Sequence, residues 1–266
     1  MLFRSGPEKD WWRESARVIA RARIGTLDDG TPLELKFGND ESSNSWYGQA
    51  AVAGTTGTGK SFLVHAALLS LATRYPPDEL RFFIFDGQDG VTSQSYVDLP
   101  HADVVSMHTP IDLLRTVIAD VRAELTRRNV LATTAGVDTI ARYWDVTGGV
   151  SGMPRLVVVI EEYQALLADD TDGVVEATLK EITSTGRKAG VHLLLISQRF
   201  SATGLLGMQG LFANIDTRVS MRLDQREVDT APFGKEGRAL IGQLAGPQSA
   251  QGRVVVNDVL GADPAS

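Results

Sequence analysis

The apolar positions along the chain switch repeatedly between a period of two and a period near 3.6, which predicts strands alternating with helices. Residues 32–38 (PLELKFG) alternate as a strand, and 39–45 form a polar loop. A short apolar run at 50–53 predicts the next strand. It leads into a helix carrying Phe62, Leu63, Ala66, Leu68 and Leu69, which ends near Tyr75 before the Pro76-Pro77 break. Residues 82–85 form an apolar strand ending at Asp86, and Val104-Val105 a shorter one. A long helix over 112–134 has Leu113, Val117, Val121 and Leu125 at helical spacing. The run 156–160 (LVVVI) has no polar alternation, as expected for a strand buried on both faces. A helix over 173–189, a strand over 191–197, and strands over 217–223 and 253–257 close the series.

Alternation of this kind with few hairpin signals predicts an α/β fold, a mainly parallel central sheet with helices on both faces. Three parts are expected: a polar, aromatic arm over 1–30, one large domain over 31–260, and a tail over 261–266. Within the arm, Trp11 and Trp12 with Val18 and Ile19 predict a short amphipathic helix.

One strand-to-helix junction carries chemistry. Residues 54–61 read Gly54-Thr55-Thr56-Gly57-Thr58-Gly59-Lys60-Ser61, a complete G-x-x-x-x-G-K-[ST] phosphate-binding loop. Its glycines let the backbone curl with N–H groups turned toward phosphate oxygens. Lys60 supplies a point charge for the β- and γ-phosphates, and Ser61 a hydroxyl ligand for Mg²⁺. The loop sits between a predicted strand and a predicted helix, where this mechanism needs it. The chain is expected to bind a nucleoside triphosphate.

Two further strand ends join the loop. The run 156–160 is followed at once by Glu161 and Glu162, placing two carboxylates at the C-terminal edge of a central strand. The first suits a Mg²⁺-bound water, and the second can orient or deprotonate an attacking water. The next strand ends in Ser197-Gln198-Arg199. Gln198 there either senses the γ-phosphate and its water or simply caps the strand. His192 reads as a packed or capping residue, and Tyr143 and Trp144 as core or interface anchors.

Composition narrows the chemistry. The chain has 266 residues, is 43% hydrophobic, and carries a formal charge of −7, which gives no support to a broad basic nucleic-acid surface. It contains no cysteine, so disulfides, zinc-thiolate sites and thiol nucleophiles are excluded. No run of 18 apolar residues and no signal-peptide pattern appears, so the chain is expected to be soluble as written.

Taken together, 54–61, the LVVVIEEYQALL segment and the stretch from Thr185-Gly186-Arg187 through Gly190-Val191-His192 to Gln198-Arg199 resemble the FtsK/SpoIIIE family of RecA-like motor ATPases. Glu124-Leu-Thr-Arg127-Arg128, the segment from Asn214 to Arg218 and Gln251-Gly252-Arg253 extend the resemblance over about residues 32–260. The loop from Asp86 to Gly90 and Leu99-Pro100-His101 look closer to the type VII secretion branch (EccC/EssC) than to chromosome-segregation pumps. Glu161 stands where the family usually has Asp, and the loop after Asp86 lacks a common Lys and is assigned no catalytic role.

The resemblance implies a RecA-like P-loop fold and ATP with Mg²⁺ as cofactors. Residues 54–61 would hold the phosphates, Ser61 and Glu161 the metal, and Glu162 and Gln198 the attacking water and γ-phosphate. It implies a self-assembled ring, a hexamer in the family's manner, completed by an arginine from the neighbour. Candidates are Arg115, Arg127, Arg128 and Arg187, with the helix preferred. It implies a cytoplasmic location at the inner face of the cell membrane, with a membrane-embedded partner or a membrane segment elsewhere. The substrate moved would be a secreted protein or, as the alternative, double-stranded DNA; a weakly active regulatory ATP-binding module is the third reading.

Overall fold

The structure, a computed structural model, describes residues 11–87, 93–149, 152–200, 211–244 and 251–258. Residues 88–92 of the loop after Asp86 and the tail 261–266 lie outside them. Two sheets form. The larger has seven strands in the order β10-β9-β4-β8-β7-β5-β6. Its members are β4 (Ala50–Ala53), β5 (Leu80–Asp86), β6 (Ala102–Ser106), β7 (Arg155–Glu161), β8 (Val191–Ser197), β9 (Thr217–Ser220) and β10 (Val255–Asn257). All neighbouring pairs are parallel except β9–β10. The parallel pairs are joined by crossovers that place helices on both faces.

The central strands explain the unbroken apolar runs. Leu156, Val158 and Ile160 of β7 belong to one core layer, and Val157 and Val159 to the other. β8 divides the same way, with Leu193 and Leu195 on one side and Leu194 and Ile196 on the other. Helix α1 (Lys60–Arg74) covers one face. The opposite face is covered by α2 (Ile111–Thr134), α4 (Tyr163–Ala168) and α5 (Val174–Ala189), with α6 (Gln225–Thr230) and α7 (Lys235–Gln243) completing it. A short helix α3 (Ile140–Thr147) buries Trp144 beside Met153 in a small satellite core.

The smaller sheet, β1 (Ile19–Thr26), β2 (Pro32–Asp40) and β3 (Ser45–Tyr47), is an antiparallel meander. Here the expected amphipathic helix over the two tryptophans is not formed. Residues 11–18 run without a regular element, and Ile19 opens β1. The physical reason lies in the partners. Trp12 donates its indole N–H to Ala72 O at the end of α1, and the buried Arg155 side chain collects the carbonyls of Ala16, Arg17 and Val18. Those carbonyls would be spent internally in a helix.

The polar loop expected over 39–45 is also shorter. β2 continues to Asp40, a buried carboxylate that accepts from Lys36 and Ser42, pairs with Arg21, and is held far below the usual carboxylate range. In α2 the buried register falls on Leu114 and Ile118 with Val117, Val121 and Leu125, whereas Leu113 faces solvent.

Candidate functional site: a phosphate-binding cleft at the carboxyl edge of the sheet

Three adjacent strands deliver the predicted residues to one edge. β4 ends in the phosphate loop, β8 lies beside it, and β7 lies beside β8, with Ala53 opposite Ser197 and Ile196 opposite Glu161. A cleft of about 310 Å³ opens there, lined by Thr56, Gly57, Gly59, Lys60, Ser61, Glu161, Glu162 and Gln198. The structure therefore brings together the loop, both acids and Gln198.

The loop is built by its glycines and by its neighbours. Gly57 and Gly59 have φ of 78° and 105°, in the left-handed region that a side chain disfavours. A Cβ on Gly54 would come within 2.6 Å of the Met221 Cβ, so only glycine lets β4 turn past β9. The N–H of Gly54 donates to Ser197 O and that of Thr55 to Arg222 O, so these two donors serve the loop itself. Thr58 donates its hydroxyl to Thr55 O, and its carbonyl accepts from the Gly252 N–H. The anion cradle is thus the later part of the loop and the first turn of α1, whose N–H groups have no partner within the helix.

Lys60 folds back over the loop, donating to Gly54 O at 2.6 Å. Burial pulls its ammonium pKa down, and the nearby Glu162 and Glu161 charges push it back up. Glu161 is only 8% exposed, and its Oε1 has no hydrogen-bond partner among the described residues. Burial first, then the charges of Asp86 and Glu162, push its carboxyl up to about 7, with Lys60 opposing. Such a carboxylate fits a hard divalent cation, because a cation both satisfies the orphaned oxygen and offsets the buried negative charge. Ser61 on the first turn of α1 and Glu161 are the residues that would hold Mg²⁺.

Glu162 follows on a left-handed residue, φ 50° and ψ 44°, which turns the chain out of β7 and into α4. Burial raises its pKa, while Lys60 and hydrogen bonds from Gln198 lower it. Gln198 thus contacts the acid that the sequence assigned to water activation.

Sequence reasoning missed two contributors here. Asp86 ends β5 directly opposite Glu161 in register, and it is buried. Its signal was present, an acid closing an apolar strand as Glu161 does, but only the loop after it was weighed. Gln251 lines the cleft from the segment before β10; it entered the sequence reading only through the family resemblance of Gln251-Gly252-Arg253 and was given no part in the site.

The four candidate arginines lie outside the cleft lining. Arg128 is corrected outright. It is 5% exposed and not on an open helix face, bonded to Glu124 and to the carbonyls of Ala189 and Gly190. Arg115 is tied to Asp170 and Asp172, Arg127 to Glu124, and Arg187 lies over Trp46 near Asp216. His192 is fully buried, as expected of a packed residue.

Comparison with known proteins agrees with this geometry. The family model described as FtsK/SpoIIIE family matches residues 7–202. The ESX secretion system protein EccC of Geobacillus thermodenitrificans is 28% identical over 79% of this chain and 15% of its own length. The DNA translocase FtsK of Helicobacter pylori is 31% identical over 84% of this chain and 27% of its own. The solved cytoplasmic domain of the Thermomonospora curvata type VII secretion ATPase EccC superposes with a TM-score of 0.68 at 26% identity. That match covers 83% of this chain and 26% of the other. The chain spans between 15% and 27% of the length of these proteins. With a phosphate loop, a paired-acid strand end and a Gln-bearing strand end converging in one cleft, and the family match extending over most of its length, the chain belongs to the FtsK/SpoIIIE family.

Proposed function

We propose that this chain is a Mg²⁺-dependent ATP-hydrolysing motor domain that drives protein export in a type VII-like secretion complex. The observation that carries the chemistry is the convergence of Lys60, Ser61, Glu161, Glu162 and Gln198 on one cleft. Phosphoryl transfer to water needs mostly positioning and charge stabilisation, and these residues supply both. Thr56 to Ser61 hold the phosphates through backbone N–H groups, and Lys60 leaves its loop carbonyl to meet the γ-phosphate. Mg²⁺, when bound by Ser61 and Glu161, neutralises charge on the phosphate oxygens. Glu162 orients the water and accepts its proton, and Gln198 binds the γ-phosphate side and reports its loss to β8. Phe62, 80% exposed at the cleft mouth, offers the base an apolar surface continuous with a larger groove beside α1.

Export is favoured by the EccC relatives and by the acidic net charge. The domain would then work in a ring at the inner face of the membrane, together with membrane-embedded partners. A second reading, an ATP-driven DNA translocase, is favoured by the FtsK relative.

One experiment separates the steps. Glu162→Gln keeps size and hydrogen bonding but removes the charge, so ATP should bind with unchanged affinity while turnover falls about a hundredfold or more. Wild-type-like turnover in this variant removes the assignment. Double-stranded DNA and a peptide from a small helical-hairpin secreted protein, added separately to the wild type, then decide the output. Stimulation of hydrolysis by the peptide supports export, and salt-sensitive stimulation by DNA supports the second reading.

A further inference from the structure

We propose that Gln164 is a positioning residue for Glu162, clamping the turn after β7 to the end of β8 and, through Ser197, to the phosphate loop. The proposal rests on the hydrolytic role given to Glu162 above. Four described non-glycine residues have positive φ, and Glu162 is the one among them that lines the cleft. That conformation is sparsely populated for a residue with a Cβ and persists only where its surroundings fix it.

The fixing contacts surround the turn. On one side Gly87 donates its N–H to Glu161 O at 3.0 Å, and a Cβ there would press to 3.0 Å from Glu162 O. On the other side stands Gln164. Its Oε1 accepts from the buried Ser197 hydroxyl at 2.7 Å and from Arg199 Nε at 3.3 Å. Its Nε2 donates to Arg199 O at 2.9 Å and to the Tyr163 hydroxyl at 3.4 Å. Arg199 Nε can only donate and Arg199 O can only accept, so the amide fits in one orientation. Ser197 in turn accepts the N–H of Gly54 on its carbonyl. Ser197 therefore joins the first residue of the phosphate loop, through its carbonyl, to Gln164, through its hydroxyl, two residues beyond the acid. Gln198, which bonds Glu162 itself, is fixed between Ser197 and Arg199, both held by the same amide.

The clamp predicts a split between binding and turnover. Gln164→Leu keeps a similar volume and removes the amide contacts to Ser197, Arg199 and Tyr163. It should lower kcat about tenfold or more, leaving KM and ATP affinity within twofold. Gln164→Glu keeps the acceptor for Ser197 and Arg199 Nε but loses both donors, so it should recover part of the loss. Ser197→Ala cuts one of these contacts and should lower kcat by less, and the Gln164→Leu/Ser197→Ala pair should fall little further than Gln164→Leu alone, because that substitution already removes the bond the two share. Hydrogen exchange of the amides at 161–166 reads the clamp without turnover and should quicken about tenfold in Gln164→Leu. Should Gln164→Leu fail to fold, Gln164→Glu and Ser197→Ala carry the same comparison. Turnover within twofold of wild type, kcat and affinity falling in parallel, or unchanged exchange overturns the proposal. A wild type that binds but never hydrolyses ATP would defeat the hydrolytic reading, while the exchange experiment would still decide the clamp.

Discussion

Lys60 is held at the cleft by the carbonyls of its own loop and lies near two acids, so its charge is kept where phosphate must arrive. Removing it with Lys60→Ala takes away the side-chain cation that the loop brings to the γ-phosphate. ATP affinity should drop at least tenfold, about 1.4 kcal/mol, by titration calorimetry. Unchanged affinity would dismiss the phosphate-loop assignment. His192 makes a different single-residue case. Burial first, then the Arg155 charge, holds its imidazole down to about 3. Arg155 donates to Nε2, so Nδ1–H donates to Gly48 O, and the ring is needed neutral. Its folded pKa lies below its unfolded value, so it contributes stability that is present above about pH 6.5 and lost progressively as pH falls toward 3. Between pH 7 and 5 that loss is about 2 kcal/mol. Glu161 and Asp216, both raised, run the opposite way, so the measurement is a difference. Urea unfolding of wild type and His192→Gln at both pH values should show the wild type losing about 2 kcal/mol more. Equal losses would mean that the histidine is not buried neutral.

At the scale of elements, the chain's pattern was most legible where burial is symmetrical. β7 and β8 are buried on both faces, so their apolar runs could be read without knowing the partner. The strand-end acids and the phosphate loop followed, because a parallel sheet gathers its functional ends on one edge. Legibility failed where long-range polar contacts decide. Arg128 continues the buried stripe of α2 at i+3 from Leu125, whereas Arg127 falls off it, yet a charged side chain at that position reads as solvated when no partner is known. The carbonyls of Ala189 and Gly190, far away in sequence, are what satisfy the guanidinium once that register buries it. The stretch before β1 failed likewise, since its amphipathic spacing suits a helix but its carbonyls are claimed by Arg155. That claim is testable. Arg155→Met fills a similar volume but leaves the Ala16, Arg17 and Val18 carbonyls without their donor, each costing about 1–3 kcal/mol if buried. A loss of about 3 kcal/mol or more is expected from chemical denaturation, with the first residues of β1 exchanging amide hydrogens faster. A loss below about 1 kcal/mol would show that the clamp on this segment is dispensable.

At the scale of the whole molecule, the cleft holds a loop, two acids and a glutamine, while the arginines weighed as neighbour-supplied cations lie elsewhere on the domain. Arg115 lies near the start of α2, the end that follows the carboxyl edge of β6, and so shares the edge of the sheet that carries the cleft. Arg127 and Arg187 are the more solvent-exposed, near the opposite edge, where α2 and α5 approach the start of β8. A cation supplied by a second copy would complete the charge stabilisation, and its loss in such enzymes typically costs on the order of a thousandfold in rate. Specific ATPase activity of this chain should therefore rise with protein concentration, and follow the appearance of higher oligomers in light scattering. The sharper version mixes subunits. Lys60→Ala cannot bind nucleotide productively but still presents its arginines, whereas Arg115→Ala, Arg127→Ala or Arg187→Ala keeps its own loop. Activity restored on mixing Lys60→Ala with one of the three identifies that arginine as the donor, because two inactive proteins can recover a site only by sharing it. Full activity in a monodisperse monomer, independent of concentration, would remove the ring and leave each cleft a self-contained hydrolase.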